Sequence, residues 1–360
     1  MADSSRQVRS KPTIPEVALR AGVSKATAGR VLGGYGQASE RARERVLAAA
    51  AELGYEANVL ARSMITGRTD TIGLVIADIN NPFFSQVTRS FCDFCRREGF
   101  EVLIINTDER ADQERHAFQI LRERRVDGIA VSLAYPNGLD HVHQSIAQGL
   151  PVVLLDRGER SLPCDSVVID NAASTATATA HLADCGHELI AIITDPSLLT
   201  PELEFPAADP RFSSYQDRLV GYARELRNRG IEVRAEYIRT ALDREGAGRC
   251  VDELLELDRP PTAIVISDGA VGVWIVERLQ DRGVRFPDEI SLVVFDDVDW
   301  TRVVRPRMTV IAQPLQELGD LAARSLLDRV RGYGGQPRNY VLNASLVERD
   351  STGAPLSRVQ

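Results

Sequence analysis

The chain lacks any apolar run close to the length of a membrane span, about eighteen residues. No secretory pattern precedes its first folded segment, so a cytoplasmic location without membrane attachment is expected. Cysteine is scarce and scattered: Cys92, Cys95, Cys164, Cys185 and Cys250. An odd set of this kind argues against a disulfide framework. Cys92 and Cys95 form a C-x-x-C pair inside an expected helix. They have no second pair for zinc and none of the flanking residues of a redox motif, so packed helix cysteines are expected. There is also no P-loop, no nucleophile elbow and no metal-spaced His/Cys set. Gly33-Gly34-Tyr35-Gly36 follows a helix rather than a strand and is no nucleotide fingerprint. His181 and His187 lie in or just after a helix and call for no special role. No metal, no cofactor and no enzymatic activity are expected.

Positive charge is also in deficit, with a formal net charge of −8 over 360 residues. The deficit is unevenly placed. Residues 1–68 hold 11 Lys and Arg against 6 Asp and Glu, a net of +5, while the rest hold 32 against 45, a net of −13. A basic head on an acidic body suits phosphate contact by the head alone, because counterion release needs only local positive charge. The length allows a small module followed by a large domain or two.

The head is written in residues 13–33. Thr13 followed by Glu16 is a capping box that opens a first helix. Val17, Ala18 and Ala21 share one face of it. Gly22 breaks the helix, and Val23 can tuck beneath the turn. Ser24 is a good N-cap for a second helix, with Val31 and Leu32 at its buried end. Helix, glycine-containing turn and helix form a helix-turn-helix, whose second helix presents its N-terminal residues to the major groove. The exposed candidates there are Lys25, Ala26 and Arg30. Arg30 suits a guanine edge or a phosphate, and Ala26 a thymine methyl. A helical hairpin in an unrelated core is the alternative, disfavoured by the basic surroundings. A third helix is expected after Ser39, with Val46, Leu47, Ala50 and Leu53 inward and Gly54 ending it.

The stretch TIPEVALRAGVSKATAGRVLGG resembles the DNA-binding head of the lactose-repressor (LacI/GalR) family. The usual Thr-Val-Ser-Arg is here Thr27-Ala28-Gly29-Arg30. The first change thins the core. The second removes a possible phosphate donor and lowers helix propensity by up to about 1 kcal/mol. A softer head that orders on DNA is implied. The resemblance gives a head over 13–57 after a disordered tail at 1–12, with Ser24, Lys25, Ala26, Thr27 and Arg30 on DNA. It also implies a hinge helix and linker at 58–70 that enters the minor groove as a symmetric pair. Asn58, Ala61, Arg62 and Met64 would make those contacts, with Met64 wedged between base steps. Ala57 stands where the family has proline. A plain linker helix is the duller reading of the same stretch.

From residue 71 strand-length apolar runs alternate with helix patterns. Strands are expected at 71–77, 101–106, 126–132, 151–156, 189–194, 236–240, 263–267 and 291–295. Such alternation means parallel sheets covered on both faces, and the number of units asks for two α/β lobes. The expected fold class is a small all-α head, a hinge helix and a two-lobed parallel α/β body.

Ligands of such sheets bind at the carboxyl ends of strands. Asn81, Phe83 and Phe84 stand after the first strand, and Asp156 and Arg157 after "PVVLL". Asp268 follows "TAIVIS", Asp296 ends "SLVVF", Gln313 follows "MTVIA", and Arg218 starts a helix. A sugar needs aromatic faces for its C–H surface and planar charged groups for adjacent hydroxyls. Capping, core or lobe-bridging roles are the duller readings of each residue.

Residues 71–350 resemble a periplasmic-binding-protein-like effector core, strongest at "DINNPFF" and "ISLVVFDDVD". The likeness implies three crossings between lobes, with lobe one at 71–170 and 314–340, lobe two at 171–313 and 341–350, and a tail at 351–360. The site set is similar to pockets of ribose- and galactose-type binding proteins. Asp268-Gly269 departs from a common Asn-Asp, Trp274 falls where glycine is common, and Trp300 could add a ring. The Pro- and acid-rich stretch 194–212 fits either a flap over the cleft or a surface insertion. Together these imply a regulator, most simply a repressor, that binds a near-palindromic double-stranded operator as a homodimer or tetramer. A small-molecule effector, a sugar or alternatively a purine or other non-sugar, would control it. A doubly wound enzyme and a nucleoid protein without effector are the competing classes.

Overall fold

The computed structural model describes residues 12–33, 36–55, 68–134, 138–194 and 215–356. The expected N-terminal tail, the hinge contacts at Asn58, Ala61, Arg62 and Met64, and the 195–212 insertion lie outside the described residues. The chain forms two compact units, residues 1–71 and 72–360.

The head holds α1 (Ile14–Ala21), α2 (Lys25–Gly33) and α3 (Glu40–Leu53). The Glu16 carboxylate accepts from the Thr13 N–H at 2.6 Å and from its hydroxyl at 2.9 Å, closing the start of α1. Gly22 ends α1 at φ 63°. Ser24 Oγ accepts from the Thr27 N–H at 3.1 Å, capping α2, and Ser39 does the same for α3 through Ala42. Helix α2 runs unbroken through Gly29. The core is small-residue: Val17, Ala18, Ala21, Ala28, Val46, Ala49 and Ala50, with Val23, Val31 and Leu32 half-buried against it. Leu47 and Leu53 were expected inside but are 50% and 37% exposed. Ala49 is buried in the head core instead.

The body has two six-stranded sheets. In the first, β1 (Thr71–Ile76), α4 (Pro82–Arg97), β2 (Glu101–Asn106), α5 (Ala111–Glu123), β3 (Gly128–Val131), α6 (Asp140–Ala147), β4 (Val152–Leu155) and β5 (Asp165–Ile169) follow in turn. The second holds α7 (Asn171–Asp184), β6 (Ile190–Thr194), α8 (Tyr215–Asn228), β7 (Ile238–Thr240), α9 (Arg244–Leu255), β8 (Ala263–Ile266), α10 (Gly269–Asp281), β9 (Ser291–Phe295), α11 (Asp299–Val303) and β10 (Thr309–Ala312). The chain then returns to lobe one as α12 (Leu315–Val330) and β11 (Asn339–Leu342), and ends in lobe two as β12 (Ser345–Val347). The strand orders are β11-β5-β4-β3-β1-β2 and β12-β10-β9-β8-β6-β7. Pairs such as β1 with β3 and β8 with β9 are parallel, and β12 runs antiparallel to β10. The chain thus crosses between lobes three times.

Several details of the body differ from the sequence expectation. β5, β11 and β12 lacked a sequence signal. β5 opens on Asp165, a buried carboxylate held by Arg329, Arg338 and Ser325, where an apolar residue was sought. β11 is an edge strand with alternating exposure. Because β11 extends to Leu342, lobe one does not end at 340. The expected tail at 351 is instead built into lobe two. Ser351 is buried, its hydroxyl donating to the Leu292 carbonyl at 2.7 Å, and the Gly353 carbonyl meets His187 at 2.9 Å. The five cysteines are free. Burial pushes the Cys95 thiol up to about 12, which fits a packed residue rather than a reactive one.

Lobe two depends on one close helix contact. A Cβ on Gly221 of α8 would sit 2.1 Å from the Ala172 carbonyl oxygen of α7. Only glycine permits that approach. Gly221→Ala is expected to destabilise lobe two by about 1–3 kcal/mol through forced separation of the helices. Urea unfolding followed by the fluorescence of Trp274 and Trp300 measures it, and a wild-type midpoint would show that the contact is slack.

Candidate functional site

The same contact positions a cation. Arg218 lies one turn before Gly221 on α8 and is only 5% exposed. Its Nε donates to Asn171 Oδ1 at 2.8 Å, its Nη1 donates to the Ser267 carbonyl, and its guanidinium lies 4.4 Å above the Phe295 ring. A buried guanidinium needs such partners to offset desolvation.

Arg218, Asp268, Asp296 and Gln313 line one small cavity together with Asn81, Phe83, Phe84 and Asp156. Eight of the nine expected effector residues therefore meet at one place between the lobes. The ninth, Arg157, does not line it. Its guanidinium binds both oxygens of Glu109 at 2.6 and 2.7 Å and the Leu133 carbonyl at 2.6 Å. Only its Nε stays near the site, 3.8 Å from Asp156.

Each lining residue has a local cause. Asn81 caps α4 by accepting from the Phe83 N–H at 3.0 Å, and its amide reaches across to Asp268 at 3.4 Å. Phe83 and Phe84 pack edge to face at 4.9 Å between ring centres, at the end of the lobe-one core. Asp156 leaves β4 at φ 67°, a left-handed conformation that Asp tolerates better than most residues. Its N–H stays tied to the Val167 carbonyl at 2.9 Å. Asp268 caps α10 by accepting from Ala270 at 2.6 Å and Val271 at 3.3 Å. Gly269 is required beside it, since a Cβ would lie 2.9 Å from both the Asp296 nitrogen and the Phe295 carbonyl oxygen. Gln313 donates to Asp296, while its own Oε1 is buried without a partner among the described residues.

Trp300 supplies no ring to the cavity. Its Nε1 donates to the Gly269 carbonyl at 3.0 Å, bracing α10 from behind. Trp274 faces a surface groove between α9 and α10. Asn171 was missed by the sequence reading. It follows β5 at a strand end, so the same rule finds it once β5 is recognised.

The cavity has room for about 20 Å³, roughly one water. A ring-sized ligand therefore requires the lining to rearrange. In the head, Ser24, Lys25, Ala26 and Arg30 are exposed, Thr27 is half-buried and Ala28 is buried. Among the described residues no cluster of three or more His, Cys, Asp or Glu could hold a metal ion, and no helix is long and apolar enough to cross a membrane.

The site is strained electrostatically. Burial pushes the Asp296 carboxyl up to about 7, against the attraction of Arg218 and the hydrogen bond from Gln313, with Asp268 and Asp156 raising it further. Burial raises Asp156 in the same direction. An unfolded Asp titrates near about 4. Between these values the folded protein holds the proton more tightly than the unfolded chain. Stability from Asp296 is therefore full below about pH 4, falls as pH rises towards 7, and is level above that. Asp296→Asn cannot ionise. Its melting temperature relative to wild type is expected to rise by several degrees between pH 5 and pH 8. A difference independent of pH, read by calorimetry, would mean that Asp296 titrates normally.

Residues 13–58 match the bacterial regulatory proteins of the lacI family, and residues 179–352 match the periplasmic binding protein-like domain. The HTH-type transcriptional regulator PtxS of Pseudomonas plecoglossicida is 32% identical over 351 residues, 96% of this chain and 97% of that protein. Among solved structures, the lac repressor dimer bound to operator and the anti-inducer ONPF is similar with a TM-score of 0.81 at 25% identity, over 96% of this chain and 100% of that one. A LacI family regulator from Enterococcus faecium with bound ribose gives a TM-score of 0.68 at 25% identity, over 79% and 99% of the two chains. Capped helix-turn-helix, thrice-crossed two-lobed body and full-length likeness converge: this chain belongs to the lacI family of bacterial regulatory proteins, DNA-binding transcription regulators with an effector-binding core.

Proposed function

We propose that this regulator is a repressor controlled by a sugar that enters between the lobes and is held by the cavity residues. The observation that carries the reading is Arg218, buried and braced from three sides, facing Asp156 and Asp296 beside two phenylalanine rings. Carboxylates accept from sugar hydroxyls, the guanidinium is a donor of the matching kind, and the rings cover C–H surface. A relative solved with ribose bound supports the same class of ligand. Arg157 takes a supporting role, holding the turn that aims Asp156. In the head, Lys25, Ala26 and Arg30 read the major groove, with Ser24 and Thr27 at the backbone. Asn58, Ala61, Arg62 and Met64 serve the minor groove at the operator centre. The protein acts in the cytoplasm as a dimer and performs no catalysis. Its domain divisions are a head over 13–57, a hinge over 58–70, and lobes that exchange at 170, 313 and after 342.

Two measurements test this reading. Arg30→Ala is expected to weaken operator binding by about 10- to 100-fold and to relax base preference at one position. Equal losses on operator and random DNA would reduce Arg30 to a phosphate contact. Asp296→Ala and Arg218→Ala are expected to bind operator normally but to shift the effector midpoint at least several-fold, because each leaves buried polar groups without partners. Operator binding titrated with effector reads this directly. Wild-type midpoints in both variants would place the ligand elsewhere.

A further inference from the structure

The charge of the cavity and the state of its hydrogen-bond donors narrow the effector further. We propose that this cleft accepts an uncharged polyol ring and refuses ligands bearing a carboxylate or phosphate. The inference rests on the sugar reading above and deepens it.

Among the described residues of the cavity lining, three carboxylates, Asp156, Asp268 and Asp296, face one guanidinium, Arg218. With all ionised the lining carries a net of −2. With Asp156 and Asp296 both protonated it reaches zero, and no protonation state of those two makes it positive. The neighbouring cation, Arg157, brings no surplus, because Glu109 holds it through two short hydrogen bonds. Arg218 itself is partly committed, to Asn171 and to the Ser267 carbonyl.

Helix starts are the other usual source of anion binding, through free N–H groups. Here capping carboxamide and carboxylate oxygens occupy some of those donors. Asn81 caps α4 through Phe83, and Asp268 caps α10 through Ala270 and Val271. The Asp268 cap also places a carboxylate where an anion would otherwise sit. What remains, beside Arg218 and the amides of Asn81 and Gln313, is a lining rich in acceptors. It suits hydroxyl donors and sets like charge against an acid or an ester, a repulsion that grows with desolvation.

The test uses the full chain and three matched ligand classes: neutral aldoses including ribose, glucose and galactose, their aldonic acids, and their phosphate esters. Titration calorimetry gives each dissociation constant. The expected result is one neutral sugar that binds, with its acid and phosphate about 100-fold weaker. A gap of tenfold or more supports the proposal. An acid or phosphate binding within tenfold of its parent, or tighter, overturns it while leaving the sugar reading in place. If no member of any class binds, the sugar reading fails and the charge rule falls with it. At pH 8, where Asp296 is mostly ionised, Asp296→Asn supplies the internal check, because removing one carboxylate should narrow the gap about tenfold, whatever it does to neutral binding. A gap unchanged in that variant would show that the carboxylates are not its cause.

Discussion

A buried guanidinium has to be held on every side, and the centre of this molecule is arranged around that need. Arg218 has lost nearly all contact with water, a state whose desolvation cost is several kcal/mol before any partner is found. Asn171, the Ser267 carbonyl and the Phe295 ring supply the partners, and each comes from a different segment of lobe two. Arg218 reaches them from α8, which Gly221 lets lie directly on α7. The facing carboxylates are then drawn into the same low-dielectric space, where Asp296 would rather be neutral.

The site is discontinuous in the chain because the chain crosses between lobes three times. Asn81, Phe83, Phe84 and Asp156 come from lobe one, and Arg218, Asp268 and Asp296 from lobe two. Gln313 stands at a crossing and reaches back to Asp296. The lobes already touch through Asn81 and Asp268, and the space left is about the size of a water. Ligand entry thus needs the lining to pass from this closed arrangement to a more open one. A ligand moves that equilibrium only by binding the two arrangements unequally, and the effect on operator affinity must be reciprocal.

Some readings survived folding better than others, for reasons that particular residues make plain. Ser24, Ser39, Gly22 and Gly54 act over three or four residues, so their caps and stops appear in the structure where local chemistry puts them. Leu47 and Leu53 fit a helical stripe equally well, yet they stay exposed while Ala49 is buried, because periodicity along one helix does not say which of its neighbouring faces another helix will cover. Asp165 hid a whole strand. A buried carboxylate reads as a loop residue until Arg329 and Arg338, more than 160 positions later, are known to neutralise it. Arg157 lies off the cavity for the same reason in reverse, since Glu109, 48 positions earlier, takes its guanidinium.

The sequence by itself determined the helix-turn-helix, the alternation that makes parallel sheets, and the strand ends at which polar residues gather. These follow from periodicity, capping and turn chemistry, which act along the chain. Tertiary structure alone decided which polar residues face one another, which charges are already paired, where lobe one stops and that residues 351–353 belong to lobe two. Those outcomes depend on contacts between distant segments, and no local propensity encodes the distance between Arg218 and Asn171 or the carbonyl that forbids a side chain at Gly221.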